Sequence, residues 1–362
     1  MSFRRMLVIE SLVLALAAGA GAQELGLVGV RDQSPLDQLF LIPTPEGAAT
    51  PSRSQIKADL SVTWSNTFVL SKAVRNWVVN YRAPGRHGLN RAEIGRLLAL
   101  YPTTDLYMFD GELARLNLRL SYGITDTLQL TVGTTLQTQG GGFADSSIES
   151  FHGSFRFANA ERDYFPQNHY QLFMRFGGHQ LFVDGASANP VFGDTTCELK
   201  LRTRNRWHGW LSAVSMTVKA PTGSRGNLAS SGRWDAQLAG HASRRLGPGW
   251  LHLDLAYTAL GGIDNLPGFA VDNLWTFVAG YELWSPHRRV NWILQATAAT
   301  SAFRGTTPSD LARPSYLILG GARVPAGRQG TLTFALVENV VELDNSADLV
   351  LHLGYSRAFG AD

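Results

Sequence analysis

The chain has 362 residues, 44% hydrophobic and only 17% charged, against about a quarter charged in an ordinary soluble domain, so a disordered chain is excluded. The 37 glycines follow no fixed period, no run beyond the N-terminus reaches the roughly 18 apolar residues of a spanning helix, and a lone cysteine, Cys197, excludes an internal disulfide and CxxC motifs. The net charge of +3 is scattered along the chain with no basic stripe, so nucleic acid is not an expected partner.

Arg4 and Arg5 precede the run Met6 to Ala18, and Ala20-Gly21-Ala22 offers a small-x-small cut site. Residues 1–22 therefore read as a secretory signal, with cleavage near Ala22 and export from the cytoplasm. Residues 23–54 form an N-terminal extension ahead of a barrel expected over 55–362. Between them and the first clear strand, Glu93 to Tyr101 carries Ile94, Leu97, Leu98 and Tyr101 at helical spacing and stops before Pro102. It reads as a short surface helix, with a plug or a cap across a barrel mouth as the other uses.

From Arg115 the pattern changes to a period of two. Leu116, Leu118, Leu120 and Tyr122 alternate with Arg115, Asn117, Arg119 and Ser121. After the turn Gly123-Ile124-Thr125-Asp126, Leu128, Leu130 and Val132 alternate with Gln129, Thr131 and Gly133, which makes a hairpin. The region 139–168 is longer than a usual hairpin loop. It opens on Gly140-Gly141-Gly142, and a helical patch is expected around Ile148, Phe151, His152 and Phe155.

Alternation resumes in Leu172, Met174 and Phe176, then in Cys197, Leu199 and Leu201 against Glu198, Lys200 and Arg202, which makes Cys197 a small hydrophobe on an apolar face. It continues in Val214, Met216 and Val218 against Ser215, Thr217 and Lys219, where Lys219-Ala220-Pro221-Thr222-Gly223 ends a strand. Leu251, Leu253, Leu255 and Tyr257 against His252 and Asp254, then Val290, Trp292 and Leu294, then Leu332, Phe334 and Leu336 follow. In the last segment Leu349, Leu351, Leu353, Tyr355 and Phe359 share one face.

Roughly twelve segments of about ten residues match the length of a tilted strand crossing a bilayer. The polar faces suit bulk water as well as an aqueous lumen. The secretory signal, the low charged fraction and aromatics near strand ends (Trp207, Trp210, Trp250, Tyr281, Trp284, Trp292) favour an all-β, antiparallel transmembrane barrel over a soluble sandwich. Lipid and, through the C-terminal strand, the barrel-assembly machinery are the expected partners, in the outer membrane of a Gram-negative bacterium.

Several stretches carry a resemblance. Val30-Arg31-Asp32-Gln33-Ser34-Pro35-Leu36, Asp110-Gly111-Glu112, Tyr122-Gly123-Ile124-Thr125-Asp126, Gly140-Gly141-Gly142-Phe143-Ala144-Asp145 with Phe151-His152, and Lys219-Ala220-Pro221-Thr222-Gly223 followed by Asp235 resemble an uncharacterised proteobacterial family. That family, a domain of unknown function, looks like an outer-membrane barrel, so the resemblance implies a fold and a location but no activity.

Two chemistries are open on these residues. Arg115, Arg119, Glu198, Lys200, Arg202, Lys219 and Asp254 lie on the polar face and would set selectivity in a channel for small solutes or ions. Glu149, His152 and Ser154 supply an acid, a base and a hydroxyl for an outer-membrane lipid hydrolase, although no single regular conformation aligns all three. A structural barrel that presents loops to a partner is the third reading. Asp145 and Glu149 lack the repeated acids of a calcium loop, and no cofactor or metal is called for.

Overall fold

The computed structural model describes residues 26–155, 159–185, 189–225, 228–264, 270–283, 290–304, 309–327, 330–341 and 345–360. The secretory segment 1–22 and Trp284 lie outside the described residues.

Twelve antiparallel strands close a barrel. In chain order they are β1 (Ile56–Leu70), β2 (Leu106–Gly123) and β3 (Leu128–Gly140), and, after a long excursion, β7 (Thr195–Arg202), β8 (Trp210–Ala220), β9 (Asp235–Leu246), β10 (Gly249–Ala259), β11 (Leu274–Leu283), β12 (Asn291–Ala299), β13 (Ser315–Pro325), β14 (Gly330–Asn339) and β15 (Leu349–Phe359). Each pairs with its neighbour, and β15 returns to β1 with Phe359 opposite Ile56 and Leu349 opposite Asn66. The connections divide into a turn end, where Gly123 leads to Leu128 and Leu246 to Gly249, and a loop end carrying the long segments.

The period of two fixes which face is which. Leu116, Leu118 and Leu120 of β2 are exposed on the outer wall, as are Leu238 and Leu294, each 63% accessible. A ring of outward apolar side chains at that exposure would be unstable in water and is the expected surface against hydrocarbon. Outward aromatics stand near both ends, with Trp210, Tyr281, Trp292 and Phe359 at the turn end and Trp64, Tyr257, Trp275 and Tyr316 at the loop end. Cys197 also faces outward and is exposed.

At the loop end β1 and β2 run on beyond the barrel. The upper part of β2 pairs with β4 (Gln171–Phe176), which pairs in turn with β5 (His179–Asp184), while β6 (Val191–Phe192) lies against β3. Leu172, Met174 and Phe176 therefore belong to a hairpin above the barrel and not to its wall, and the hairpin strand β4 is buried on both faces. The outward positions of the extended strands, Phe68, Leu70, Leu106 and Met108, are covered by α1 (Lys72–Tyr81) and α2 (Arg91–Leu100) through Val74, Trp77, Ile94 and Leu97. In α2 the Asn90 side chain accepts from the Ala92 and Glu93 amides, and Glu93 accepts from the Asn90 amide, which starts the helix sharply. The helix expected at Glu93 to Tyr101 thus lies on the outer face of the sheet, and it is not what fills the lumen.

Candidate functional site

The lumen is filled by the N-terminal segment. Residues 26–30 rise from the turn end, a 3-10 turn at Leu36–Leu39 reverses the chain near the loop end, and residues 40–50 descend again to β1. The extension read from sequence is therefore an inside element, tied to the wall at three levels.

The rising leg lies on β11–β15. Arg323 donates to the carbonyls of Gly26 (2.7 Å) and Leu27 (2.8 Å) and pairs with Glu282 at 3.0 Å; Glu282 accepts from the Gly26 amide and Gln295 from the Val28 amide. Above them Val28 and Val30 pack on Ile293, Leu317, Leu319, Val337 and Val350, an apolar stripe on the inner wall.

The reversal is held by Lys219. Its ammonium, on a residue only 2% accessible, stands 2.8 Å from Asp194 and 3.0 Å from Asp235 and donates to the Leu39 carbonyl (2.8 Å) and to Ser231 Oγ. Asp235 also accepts from the Leu41 and Gly261 amides. A buried charge survives only when it is paired and hydrogen-bonded, and Lys219 meets both conditions. Around the reversal, Leu36, Leu39, Phe40 and Ile42 join Tyr107, Phe109, Tyr170, Leu172 and Phe303 in an apolar cluster across the loop end.

The descending leg is held by Glu46. Its carboxylate lies 3.4 Å from Lys200 and 3.6 Å from Arg119, which reaches Glu198 at 3.5 Å. The Glu46 amide donates to Asp254, Lys200 donates to the Gly47 carbonyl, and Arg202 donates to Thr50 Oγ1 at 3.0 Å. Arg115 donates to Gln38 Oε1. The structure thus places all seven sequence-predicted lumenal residues on the inner face, and all but Glu198 bond or pair directly with the N-terminal segment.

What remains open is a cavity of about 580 Å³ between this segment and the wall of β1–β3, β14 and β15. It is lined by Thr63, Arg115 and Asn117 at mid-height, reaches Lys57, Ser121, Thr131 and Ala358 toward the turn end, and extends upward to Gln33 and Asp194 beneath the apolar cluster.

Among the described residues a triad-like chain with no sequence signal beyond alternation occurs in the lumen, beside a looser one in which Ser243 Oγ is 2.8 Å from His252 Nδ1 and His252 Nε2 is 3.8 Å from Glu282. Ser215 Oγ is 2.9 Å from His241 Nε2, and His241 Nδ1 is 3.0 Å from Asp254 Oδ1. Ser215 and His241 are sealed beneath Glu46 and do not line the cavity, and Asp254 is spent on the Glu46 amide. The arrangement satisfies a buried histidine and offers no path for a nucleophile.

The long loop wraps the outside of the barrel. Glu112 accepts from the Phe143 and Ala144 amides and from Trp64 Nε1, and Phe143 stacks on Trp64 with ring centroids 5.5 Å apart. Gly142, at φ 72°, passes so close to the Glu112 carboxyl that a Cβ would collide with it, and Gly141 is equally tight on the Asn168 carbonyl. Asp145 accepts from Asn66 and from the Asn168 amide and pairs with Arg162 at 3.1 Å; Arg162 reaches Asp348 at 2.6 Å. The Asp110-Gly111-Glu112 and Gly140-to-Asp145 stretches therefore meet as two halves of one clamp.

The hydrolase candidates fall in α3 (Asp145–Phe155) on this loop. Glu149 is held by the fork of Arg86, with both bonds at 2.9 Å, which keeps its carboxyl below the usual range. Ser154 donates to the Ser150 carbonyl. The side chains of Phe151 and His152 lie outside the described residues. The acid and the hydroxyl are thus each engaged elsewhere.

Solved structures share this architecture. The COG4313 outer membrane channel from Pseudomonas putida F1 overlaps with a TM-score of 0.53 at 14% identity, covering 88% of this chain and all of that one. The outer membrane phospholipase A from Escherichia coli (TM-score 0.37, 11% identity, 83% and 92% covered) and the toluene transporter TodX of P. putida (0.36, 10%, 86% and 92%) are more distant. The first likeness shows the outer-membrane barrel fold alone. No functionally curated protein matches the sequence. The sequence family described as Protein of unknown function (DUF3187) matches residues 96–359, from within α2 to the end of β15, and the chain belongs to that family.

Proposed function

We propose that the protein is an outer-membrane conduit for small polar solutes whose bore is narrowed by its own N-terminal segment. The turn end then faces the periplasm and the loop end the exterior, as short turns and long loops do in bacterial barrels. The observation that carries this reading is the cavity of about 580 Å³, lined in part by charged and polar side chains, that follows the inner wall from the turn end to Gln33 and Asp194. A purely structural barrel has no need to keep Asn117, Ser121 and Thr131 in such a space, where an apolar core would stabilise it more. The channel neighbour supports the same reading by its fold. Passage requires the apolar cluster at the loop end to yield, so conduction is expected to be gated.

The test is single-channel conductance of the refolded chain in planar bilayers, accepting only material whose gel mobility shifts on heating. Small, infrequent steps are expected from residues 23–362. Deleting residues 26–50 should raise the unitary conductance several-fold and keep it open. A folded deletion barrel that conducts nothing sinks the conduit reading.

A further inference from the structure

Inside the lumen almost every charge has an opposite partner. Lys219 has Asp194 and Asp235, Lys200 and Arg119 have Glu46, and Arg323 has Glu282. Arg31 and Arg115 break this rule. The Arg31 guanidinium donates to the carbonyls of Asp37 and Phe40 and to Gln38 Oε1 at 2.8 Å, and Arg115 donates to that same Oε1. Two cations are thereby held on one neutral amide oxygen, and among the described residues neither has a carboxylate within ion-pair distance.

Asp194 is held by Lys219 and by the Gly223 amide, Asp32 accepts from the Ser34 amide through one oxygen and keeps the other without a partner, and Asp37 lies near Arg31 without pairing with it. Both Arg31 and Arg115 have a buried Nε–H without an acceptor, and both line the cavity. An unsatisfied buried donor is costly and two like charges held side by side cost more; the carboxylates of Asp37, Asp32 and Asp194 offset this at a distance without bonding either guanidinium, so an oxyanion bonded directly to both stabilises the pair further. Guanidinium groups present paired N–H donors in a planar fork that matches the two oxygens of a carboxylate or phosphate. The cavity size is in the range of small-molecule sites.

We propose that Arg31 and Arg115 form a binding site for the oxyanion group of a small anionic solute, a carboxylate or phosphate, that enters the cavity from the turn end. The assignment rests on the reading of this lumen as open to solutes and gives that solute a sign. Because Arg31 belongs to the N-terminal segment and Arg115 to the wall, a bound oxyanion also bridges the two. The site exists only while the segment is in place.

The test is isothermal titration of the refolded chain in detergent with inorganic phosphate, and separately with acetate, at constant ionic strength. Saturable binding of at least one is expected, with affinity lowered at least ten-fold in Arg115→Gln and partly kept in Arg115→Lys, which retains the charge and loses the fork. Lys57→Gln, also on the cavity but paired with Asp59 at 3.1 Å, should bind as the unaltered chain does. Heat-shifted gel mobility checks each fold, and Arg31→Gln is the second variant if Arg115→Gln does not refold. No saturable binding to the folded chain, undiminished affinity in both glutamine variants, or displacement of the bound oxyanion by equimolar chloride overturns the proposal. Binding without conductance supports the site and removes the conduit; conductance without binding removes the site and leaves the conduit.

Discussion

Two segments lie against opposite faces of the same strands. Residues 26–50 occupy the inner face and reach Arg115 and Arg119 of β2; residues 143–155 and 159–168 occupy the outer face and reach Glu112 of β2 with Trp64 and Asn66 of β1. Glu112 and Arg119 are seven residues apart on one strand, yet they serve two polar clusters on opposite sides of the wall. The clusters are built with opposite sign. Inside, one carboxylate of the segment, Glu46, meets two cations of the wall, with a further carboxylate, Glu198, beside them. Outside, one cation of the segment, Arg162, meets Asp145 and Asp348. A polar face in a membrane barrel is therefore not by itself a water channel or a solvent face, because what covers it decides its use.

The sharpest way to break this comparison is to remove the cation at the centre of the outer cluster. Arg162→Met leaves Asp145 and Asp348 without their shared counter-charge, and stranding a buried charge costs about 3–5 kcal/mol. We expect proteases to cut within 143–168 while the heat-dependent gel shift of the barrel and its conductance stay as they were. If the barrel itself is lost, the outer segment is part of the wall and not a clamp laid on it.

The inner cluster should give less. In Glu46→Gln, Arg119 keeps Glu198 and Lys200 keeps the Gly47 carbonyl, so the loss is that of one charged hydrogen-bonding partner, about 1.5–3 kcal/mol. Hydrogen exchange over residues 40–50 should accelerate and open steps should become more frequent, whereas residues 26–30, held by Arg323 and the apolar stripe, should keep their protection. Uniform loss along the whole segment would show that its two legs act as one unit.

The alternation that places Arg115, Lys200 and Asp254 on one side and Leu116, Leu199 and Leu255 on the other is a local property, and it was legible residue by residue. Their partners were not. Glu46 meets Lys200 across 154 positions of sequence, and nothing near Glu46 marks it as a lumenal ligand. Glu282 and Arg323 follow the same alternation on β11 and β13 and could have been found by it. The segment Leu172 to Phe176 shows the opposite failure: its spacing fits a wall strand, but burial on both faces makes it part of the hairpin above. Periodicity reports which side chains share a face and is silent on what lies against it. The glycines at 141 and 142 were visible as a motif, but the close pass by Glu112 that requires Gly142 depends on a loop folded back over β2.

The smallest expected effect separates the two segments by their access to water. Arg86 holds Glu149 in a two-pronged bond and also lies 3.1 Å from Asp163, well outside the wall, and Arg86 keeps more than a third of its side chain exposed. The Glu149 carboxyl is held below its usual value chiefly by those bonds, so its contribution is present above the ordinary carboxylate range, about pH 4.3, and is lost as the pH falls through the lowered value. With solvent screening the contribution is at most about 1 kcal/mol. Amide exchange in α3, compared between the unaltered chain and Arg86→Met at each pH so that the intrinsic rate cancels, should differ at pH 6 and converge below pH 4. A difference that persists unchanged into acid would mean that Arg86 acts through packing and not through the Glu149 charge. Convergence confined to α3, with residues 40–50 unmoved, would show that the charge holding the outer segment titrates in this range while those holding the inner one do not.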